Sequence, residues 1–287
     1  RDISSDDLLT RVRHAALGLD RLGIASGDRV AMLAESSPLW TIADFGILAT
    51  GAINVPIYPT QSSQQVEYIL EESRPSLLFI SSARQVRRIR PVLEAFPDMR
   101  VVTFQPGVEG YVDFATLEAS GAEADAESPK RFDELRSAIG SDDPASIIYT
   151  SGTTGEPKGA VLTHRNMCFN AASSAEVIAC GPGDVALSFL PLSHIFERTV
   201  VYLAILRGVT VCYAESLESV AANLLEVRPT MMTAVPRFFE KVYEKILKAR
   251  AKLPPLKRRL FDWSLPVGRA WARAIDQGKS PSPFLRL

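Results

Sequence analysis

The residue types best suited to chemistry lie in one run, Tyr149-Thr150-Ser151-Gly152-Thr153-Thr154-Gly155-Glu156-Pro157-Lys158-Gly159. A buried strand pattern ends at Thr150, and small hydroxyl and glycine residues follow. Glycine lets backbone N–H groups approach an anion closely. Ser151, Thr153 and Thr154 add hydroxyl donors without bulk. Lys158 adds a mobile positive charge. Together they suit a polyphosphate. The run does not fit G-x-x-x-x-G-K-[ST], and no G-x-G-x-x-G follows a strand, so neither a Walker A loop nor a dinucleotide fold is supported. The plainer reading is a turn between two strands.

His194 is the second candidate. It follows a strand and a Pro-Leu-Ser turn, where α/β sheets bind ligands. The alternative is a partly buried histidine at a helix start, packing on Phe196. His164 opens a helix and reads as structural. His14 falls on the first helix and reads as a surface residue. Glu197 and Arg198 read either as an ion pair on a helix surface or as residues that shape the site; an exposed pair would contribute under ~1 kcal/mol.

Helix and strand signals alternate around these residues. Ser4 to Asp7 fits a capping box, followed by apolar residues at helical spacing up to Gly23. The first half predicts strands over Arg29–Ala34, Ile53–Pro56, Leu77–Ile80 and Arg100–Phe104. Helices are predicted from Ser37-Pro38 towards Gly51, from a second capping box at Ser62 to about Ser73, and over Ala83–Phe96. Residues 120–143 show little periodicity and read as a surface connection. Strands over Ala145–Thr150 and Ala160–Thr163 then flank the polar loop Ser151–Lys158, and a helix runs over His164–Ala179. The alternation resumes with strands near Val185–Leu190, Val209–Tyr213 and Thr230–Ala234. Helices follow over Phe196–Leu206, Ser219–Glu226, Pro236–Ala251 and about Leu256–Ile275. This order predicts parallel sheets with helices on both faces.

Composition sets the outer bounds. The chain has 287 residues, 46% hydrophobic and 23% charged, with a net charge of −1, which excludes a disordered or fibrous chain and gives no nucleic-acid footprint. Cys168, Cys180 and Cys212 are an odd, scattered set, which suggests a reduced, cytoplasmic setting rather than a disulfide scaffold. The most apolar window, Leu39 to Tyr58, contains Asp44, Gly51 and Pro56 and is too broken for a membrane span. The segment 237–273 is basic, with Trp263 and Trp271 interleaved. It reads as a solvated helix face or as a peripheral contact with an anionic membrane surface.

The run Tyr149 to His164 resembles the phosphate-binding signature of the adenylate-forming superfamily, which includes acyl-CoA synthetases, luciferases and peptide-synthetase adenylation domains. Gly27-Asp28-Arg29-Val30-Ala31-Met32-Leu33-Ala34-Glu35-Ser36-Ser37 and Gly51-Ala52-Ile53-Asn54-Val55-Pro56-Ile57-Tyr58-Pro59 are similar to that family's early strand passages. Leu190-Pro191-Leu192-Ser193-His194-Ile195-Phe196-Glu197-Arg198 and Val235 to Tyr243 resemble the long-chain fatty acyl-CoA synthetase branch. Lys257-Arg258-Arg259-Leu260-Phe261-Asp262-Trp263 resembles a helical insertion of that branch.

The resemblance implies an α/β fold of two doubly wound lobes, the large N-terminal domain of such a synthetase, incomplete and without the small C-terminal domain. A helix in 1–26 would pack on the second lobe. Residues 27–182 would form the first lobe, carrying the loop 149–159. Residues 183–287 would form the second, with a basic helical insertion at about 252–280. The implied activity is AMP-forming ligation of a long-chain fatty acid to CoA, with ATP and Mg²⁺. Thr150, Ser151, Gly152, Thr153, Thr154, Gly155 and Lys158 would hold the triphosphate, Thr150 would lie near the metal, and His194 would lie beside the acyl carboxylate. Phe189, Phe196, Val201, Phe238, Phe239 and Trp263 would either line an acyl channel or pack in the core. The family's adenine-contacting segment, ribose-binding aspartate, hinge and catalytic lysine find no match. The chain thus reads as about half of a synthetase, inactive alone, with the CoA site largely outside it. A fatty acyl-AMP ligase feeding a carrier protein and a non-catalytic nucleotide- or acyl-binding module are the alternatives.

Overall fold

The computed structural model describes residues 2–151 and 156–279, with the backbone alone at Ser151. The elements run α1 (Ser5–Arg21), β1 (Arg29–Leu33), α2 (Pro38–Ala49), β2 (Ile53–Ile57), α3 (Ser63–Ser73), β3 (Leu77–Ile80), α4 (Ala83–Arg88), α5 (Arg90–Ala95), β4 (Arg100–Thr103), β5 (Val112–Asp113), α6 (Phe114–Glu127) and α7 (Arg131–Ser137). They continue with β6 (Pro144–Ser151), β7 (Pro157–Thr163), α8 (His164–Val177), β8 (Val185–Ser188), α9 (Ile195–Leu206), β9 (Thr210–Tyr213), α10 (Val220–Val227), β10 (Met231–Met232), α11 (Pro236–Arg250) and α12 (Pro255–Asp276). Capping boxes at Ser4 and Ser62 open α1 and α3 as their sequences require.

Two sheets result, ordered β5-β4-β3-β1-β2-β6-β7 and β10-β8-β9. Every pairing is parallel except β6 with β7. The central strands β1, β2 and β3 of the larger sheet are buried on both faces. Val30 and Met32 of β1, with Leu77 and Phe79 of β3, join the cluster under α1, α2 and α6. Ala31, Leu33, Leu78 and Ile80 join the cluster under α3, α4 and α5. This two-residue alternation between apolar layers explains why the strands read as continuous hydrophobic runs.

Three expectations are corrected. Residues 120–143 are not a connection: α6 and α7 occupy most of them. The α6 face that meets α1 carries Leu117, set against Gly18, but is otherwise made of small residues and ion pairs, so no recurring large-apolar period betrays it. A Cβ at Gly121 would run into the His14 carbonyl, so the helices cross at backbone distance. Arg11–Glu118 at 2.7 Å, Arg13–Asp125 at 2.6 Å and Arg21–Glu127 at 2.5 Å flank the crossing. His14, expected at the surface, is half-buried there, with Nε2 3.9 Å from Asp125. The helix expected over Ala83–Phe96 breaks at Ile89, because Pro91 has no N–H to give the Arg87 carbonyl and its ring crowds that oxygen, so Pro91 falls in the first turn of a new helix. As for the helix assigned to 1–26, α1 lies against α2 and α6, and its cluster also takes in Val201 and, at its edge, Val211 and Tyr213.

Residues 1–233 form one unit that contains both sheets, and residues 234–287 form another. Within the second unit α11 and α12 are joined by Arg250–Asp262 at 2.5 Å and by Arg269 donating to the Tyr243 hydroxyl at 3.0 Å.

The α1–α6 crossing gives a direct test. Gly121→Val should lower the unfolding free energy by about 1–3 kcal/mol through overpacking. Gly268→Ala, in open space on α12, should leave it level or raise it slightly. Urea denaturation of the two variants measures the contrast.

Candidate functional site

The polar run sits in a hairpin at the edge of the larger sheet. β6 lies parallel to β2, with Asn54 level with Ser146, and antiparallel to β7. The ladder extends to Thr150↔Lys158 and Ser151↔Pro157, so β7 begins earlier than the sequence pattern indicates. Directly opposed residues share a face of the sheet, and both Thr150 and Lys158 are exposed. The hairpin therefore offers a hydroxyl and an ammonium side by side. Tyr149 turns to the other face, buried, with its ring against Gly159: a Cβ on that glycine would stand 3.3 Å from Cζ. Burial, reinforced by Glu72, pushes the Tyr149 phenol up to about 12, so it remains protonated. Tyr68 donates to the Pro157 carbonyl at 3.3 Å and ties the base of β7 to α3. Gly152, Thr153, Thr154 and Gly155, and the Ser151 side chain, lie outside the described residues.

His194 is delivered to the same edge by the turn between β8 and α9. The Ser36 hydroxyl, just past β1, donates to the Leu190 carbonyl at 3.1 Å and accepts the Leu192 N–H at 2.9 Å. The buried Ser193 hydroxyl donates to the Ile57 carbonyl at the end of β2, at 3.1 Å. The turn is thus fastened to the carboxyl ends of β1 and β2, on the side where β6 ends. His194 is the N-cap of α9, exposed rather than packed as a core histidine. Its Nδ1 accepts the Phe196 N–H at 3.2 Å, which fixes the proton on Nε2. That N–H is a donor available to an anion, and the ring lies edge-on to Tyr58, with centroids 6.5 Å apart.

Glu197 and Arg198 are not a surface pair. Both are buried, and they reach in opposite directions. Glu197 accepts from the Ser188 hydroxyl at 2.6 Å and the Thr233 hydroxyl at 2.7 Å, within the second sheet. Burial pushes its carboxyl pKa up. Arg198 grips Asp44 of α2 with two N–H groups, one at 2.9 Å, and donates to the Ser146 hydroxyl at 2.8 Å. Ser146 passes the contact to the Asn54 carbonyl at 2.8 Å. The Tyr202 hydroxyl and the Asn54 amide complete the carboxylate of Asp44, each at 2.6 Å. The Asp44 charge, reinforced by Tyr202, holds the guanidinium pKa up against the desolvation that opposes it. Asp44 could have been singled out from the sequence: it is the one acid in the most apolar window.

The aromatic candidates divide. Phe189 and Val201 are core residues, with Val201 lining a cavity of about 10 Å³ against Met231 and Met232. Phe196, Phe239 and Trp263 are exposed. Among the described residues no three His, Cys, Asp or Glu side chains are placed to hold a metal ion.

His164 lies beneath the hairpin at the start of α8, with Nε2 buried and unpartnered. Burial, only partly offset by Asp143, holds its pKa below the ordinary 6.5. The unfolded chain therefore takes up this proton first, and stability should fall as pH drops from about 6.5. His164→Gln should flatten that decline between about pH 7 and about pH 5.5, as read by urea midpoints.

The AMP-binding enzyme family matches residues 1–277. The long-chain-fatty-acid–CoA ligase FadD15 of Mycobacterium bovis is 35% identical over 99% of this chain and 47% of its own length. The Drosophila melanogaster long-chain-fatty-acid–CoA ligase heimdall is 31% identical over 96% of this chain and 42% of its own. The chain therefore spans about half the length of the curated relatives it matches. The N-terminal domain of FACL13 from Mycobacterium tuberculosis superposes with a TM-score of 0.66 at 29% identity, covering 82% of this chain and 56% of that one. ATP-bound MatB from Rhodopseudomonas palustris, at 24% identity, shares the fold with a TM-score of 0.68, over 84% of this chain and 46% of its own. With the family match over nearly its whole length, the chain belongs to the AMP-binding enzymes.

Proposed function

We propose that this chain carries the triphosphate and carboxylate side of an AMP-forming long-chain-fatty-acid–CoA ligase. The supporting observation is the exposed Thr150–Lys158 pair at the sheet edge onto which the His194 turn is fastened. In the reaction a fatty carboxylate attacks the α-phosphorus of ATP. The bond to the leaving pyrophosphate breaks and acyl-AMP forms. The CoA thiol then attacks the acyl carbonyl and releases AMP. Both partners in the first step are anions, so catalysis rests on positioning and neutralisation of charge. Lys158 and the hydroxyls of Ser151, Thr153 and Thr154 hold the β- and γ-phosphates, with Gly152 and Gly155 allowing close backbone approach. The Nε2–H of His194 orients the carboxylate. Thr150 would be the protein donor to Mg²⁺, which would offset the charge of the phosphates. Residues 27–182 and 183–287 are the two lobes in this reading.

The test is pyrophosphate release from ATP and Mg²⁺, by this 287-residue chain and by any longer product of the same reading frame, with acetate, octanoate or palmitate. Palmitate-dependent release by the longer product, with none from the 287-residue chain, is the expected result. Lys158→Ala should raise the KM for ATP at least about tenfold, a loss of about 1.4 kcal/mol. Release that needs a carrier protein rather than CoA to turn over would favour the acyl-AMP ligase. ATP binding without release from either protein would favour a binding module.

We also propose that residues 236–279 meet an anionic membrane surface. Twelve Lys and Arg stand there against Glu240, Glu244, Asp262 and Asp276, in a chain whose net charge is −1. Leu256, Leu260, Trp263 and Trp271 recur at helical spacing and are exposed, between 46% and 80%. Among the described residues no helix is long and apolar enough to cross a membrane. The chain should sediment with phosphatidylglycerol-containing vesicles and not with pure phosphatidylcholine. Lys257→Ser, Arg258→Ser and Arg259→Ser together should weaken that binding at least about tenfold.

A further inference from the structure

We infer that Glu197 and Arg198 are positioning residues: they fix the start of α9 between the two sheets and so set where His194 stands relative to the strand that carries Thr150. The inference rests on the function proposed above and adds two residues to it.

Neighbouring residues on a helix point about 100° apart, and here that separation is used in full. Glu197 is fastened to β8 through Ser188 and to the segment after β10 through Thr233. Arg198 is fastened to α2 through Asp44 and to β6 through Ser146. Ser146 lies on β6, the strand that carries Thr150, and His194 lies one helical turn before Arg198. A single rigid path therefore joins the imidazole to the phosphate strand: His194, α9, Arg198, Ser146, β6, Thr150. Neither Glu197 nor Arg198 reaches the exposed edge itself, since both are 1% exposed or less. They act through the backbone of α9. The arginine fork and the planar carboxylate of Asp44 allow one relative orientation, which an ammonium on a flexible stem does not impose. An error of about 1 Å at His194 would misplace the attacking carboxylate and lower the rate about 100-fold, with little effect on triphosphate binding.

Two measurements separate this role from a merely structural one. The 287-residue chain has three histidines, so its imidazole NMR signals can be assigned with His194→Gln and His164→Gln. Arg198→Lys keeps the charge, and Glu197→Gln keeps the shape and one acceptor. In folded Arg198→Lys the His194 signal should move, and in Glu197→Gln it should stay near its parent position. In the form of the enzyme that releases pyrophosphate, Arg198→Lys should lower kcat at least about tenfold while the KM for ATP stays within about twofold. Glu197→Gln should retain most of kcat, and Glu197→Ala should not. An unmoved His194 signal in folded Arg198→Lys would overturn the inference. So would a kcat that is unchanged, or a KM for ATP that rises in step with the fall in kcat. If Arg198→Lys does not fold, Glu197→Ala against Glu197→Gln decides by the same readouts. If no variant or parent releases pyrophosphate, the proposed function falls, and the NMR comparison still decides the positioning role.

Discussion

The buried pair between Arg198 and Asp44 is the constraint on which the arrangement of this site depends. A guanidinium and a carboxylate removed from water each carry a desolvation cost of several kcal/mol, recovered only when geometry and hydrogen bonding are nearly complete. Here they are complete. Two N–H groups meet the carboxylate, Tyr202 and Asn54 occupy its remaining lone-pair directions, and Ser146 takes a third guanidinium N–H. Trp40 and Tyr202 cover the cation with their rings at 5.6 and 5.7 Å. A hydrophobic contact tolerates sliding; this cluster does not. It joins α2, β2, β6 and α9, the elements that carry the β6–β7 hairpin and the His194 turn.

The edge itself follows from parallel strands. β1, β2 and β6 all end on the same side, so the residues that follow them converge there whatever their distance along the chain. Ser36 and Ser193 turn that convergence into fixed geometry by spending their hydroxyls on backbone groups of the neighbouring turn and strand. Thr150 and Lys158 stay exposed because the alternation of the strand sends Tyr149 inward, where Gly159 leaves room for its ring. The hairpin is thus anchored by one residue of each alternate pair and left open by the next.

How far the site was legible differs from residue to residue. Thr150, Lys158 and His194 stand out in the sequence because their types announce chemistry: hydroxyl and ammonium beside glycines, and an imidazole after a strand. Asp44 and Arg198 were not found as a pair because 154 residues separate them and neither belongs to a motif that carries chemistry. Glu197 next to Arg198 suggested an ion pair between neighbours on a helix surface. Adjacent positions on a helix diverge by about 100°, so they could not have faced each other. The α6 helix escaped notice for a related reason. Its packing face holds Leu117 and Gly121 among a row of acids answered by arginines of α1, and a search for recurring large apolar residues does not register that chemistry.

The sequence by itself determined most of the elements and the parallel α/β class, because those follow from local capping, proline and glycine placement, and the period of apolar residues; α6 and α7 escaped it. It also determined which loop suits an anion, because the donors there are contiguous. Only the tertiary structure decided which strands neighbour one another, that Arg198 answers Asp44, and that Glu197 turns to the second sheet. Those pairings depend on distances between residues far apart in the chain. Burial decides their energy: the same two charges that would contribute almost nothing in water must find each other once the helices close over them.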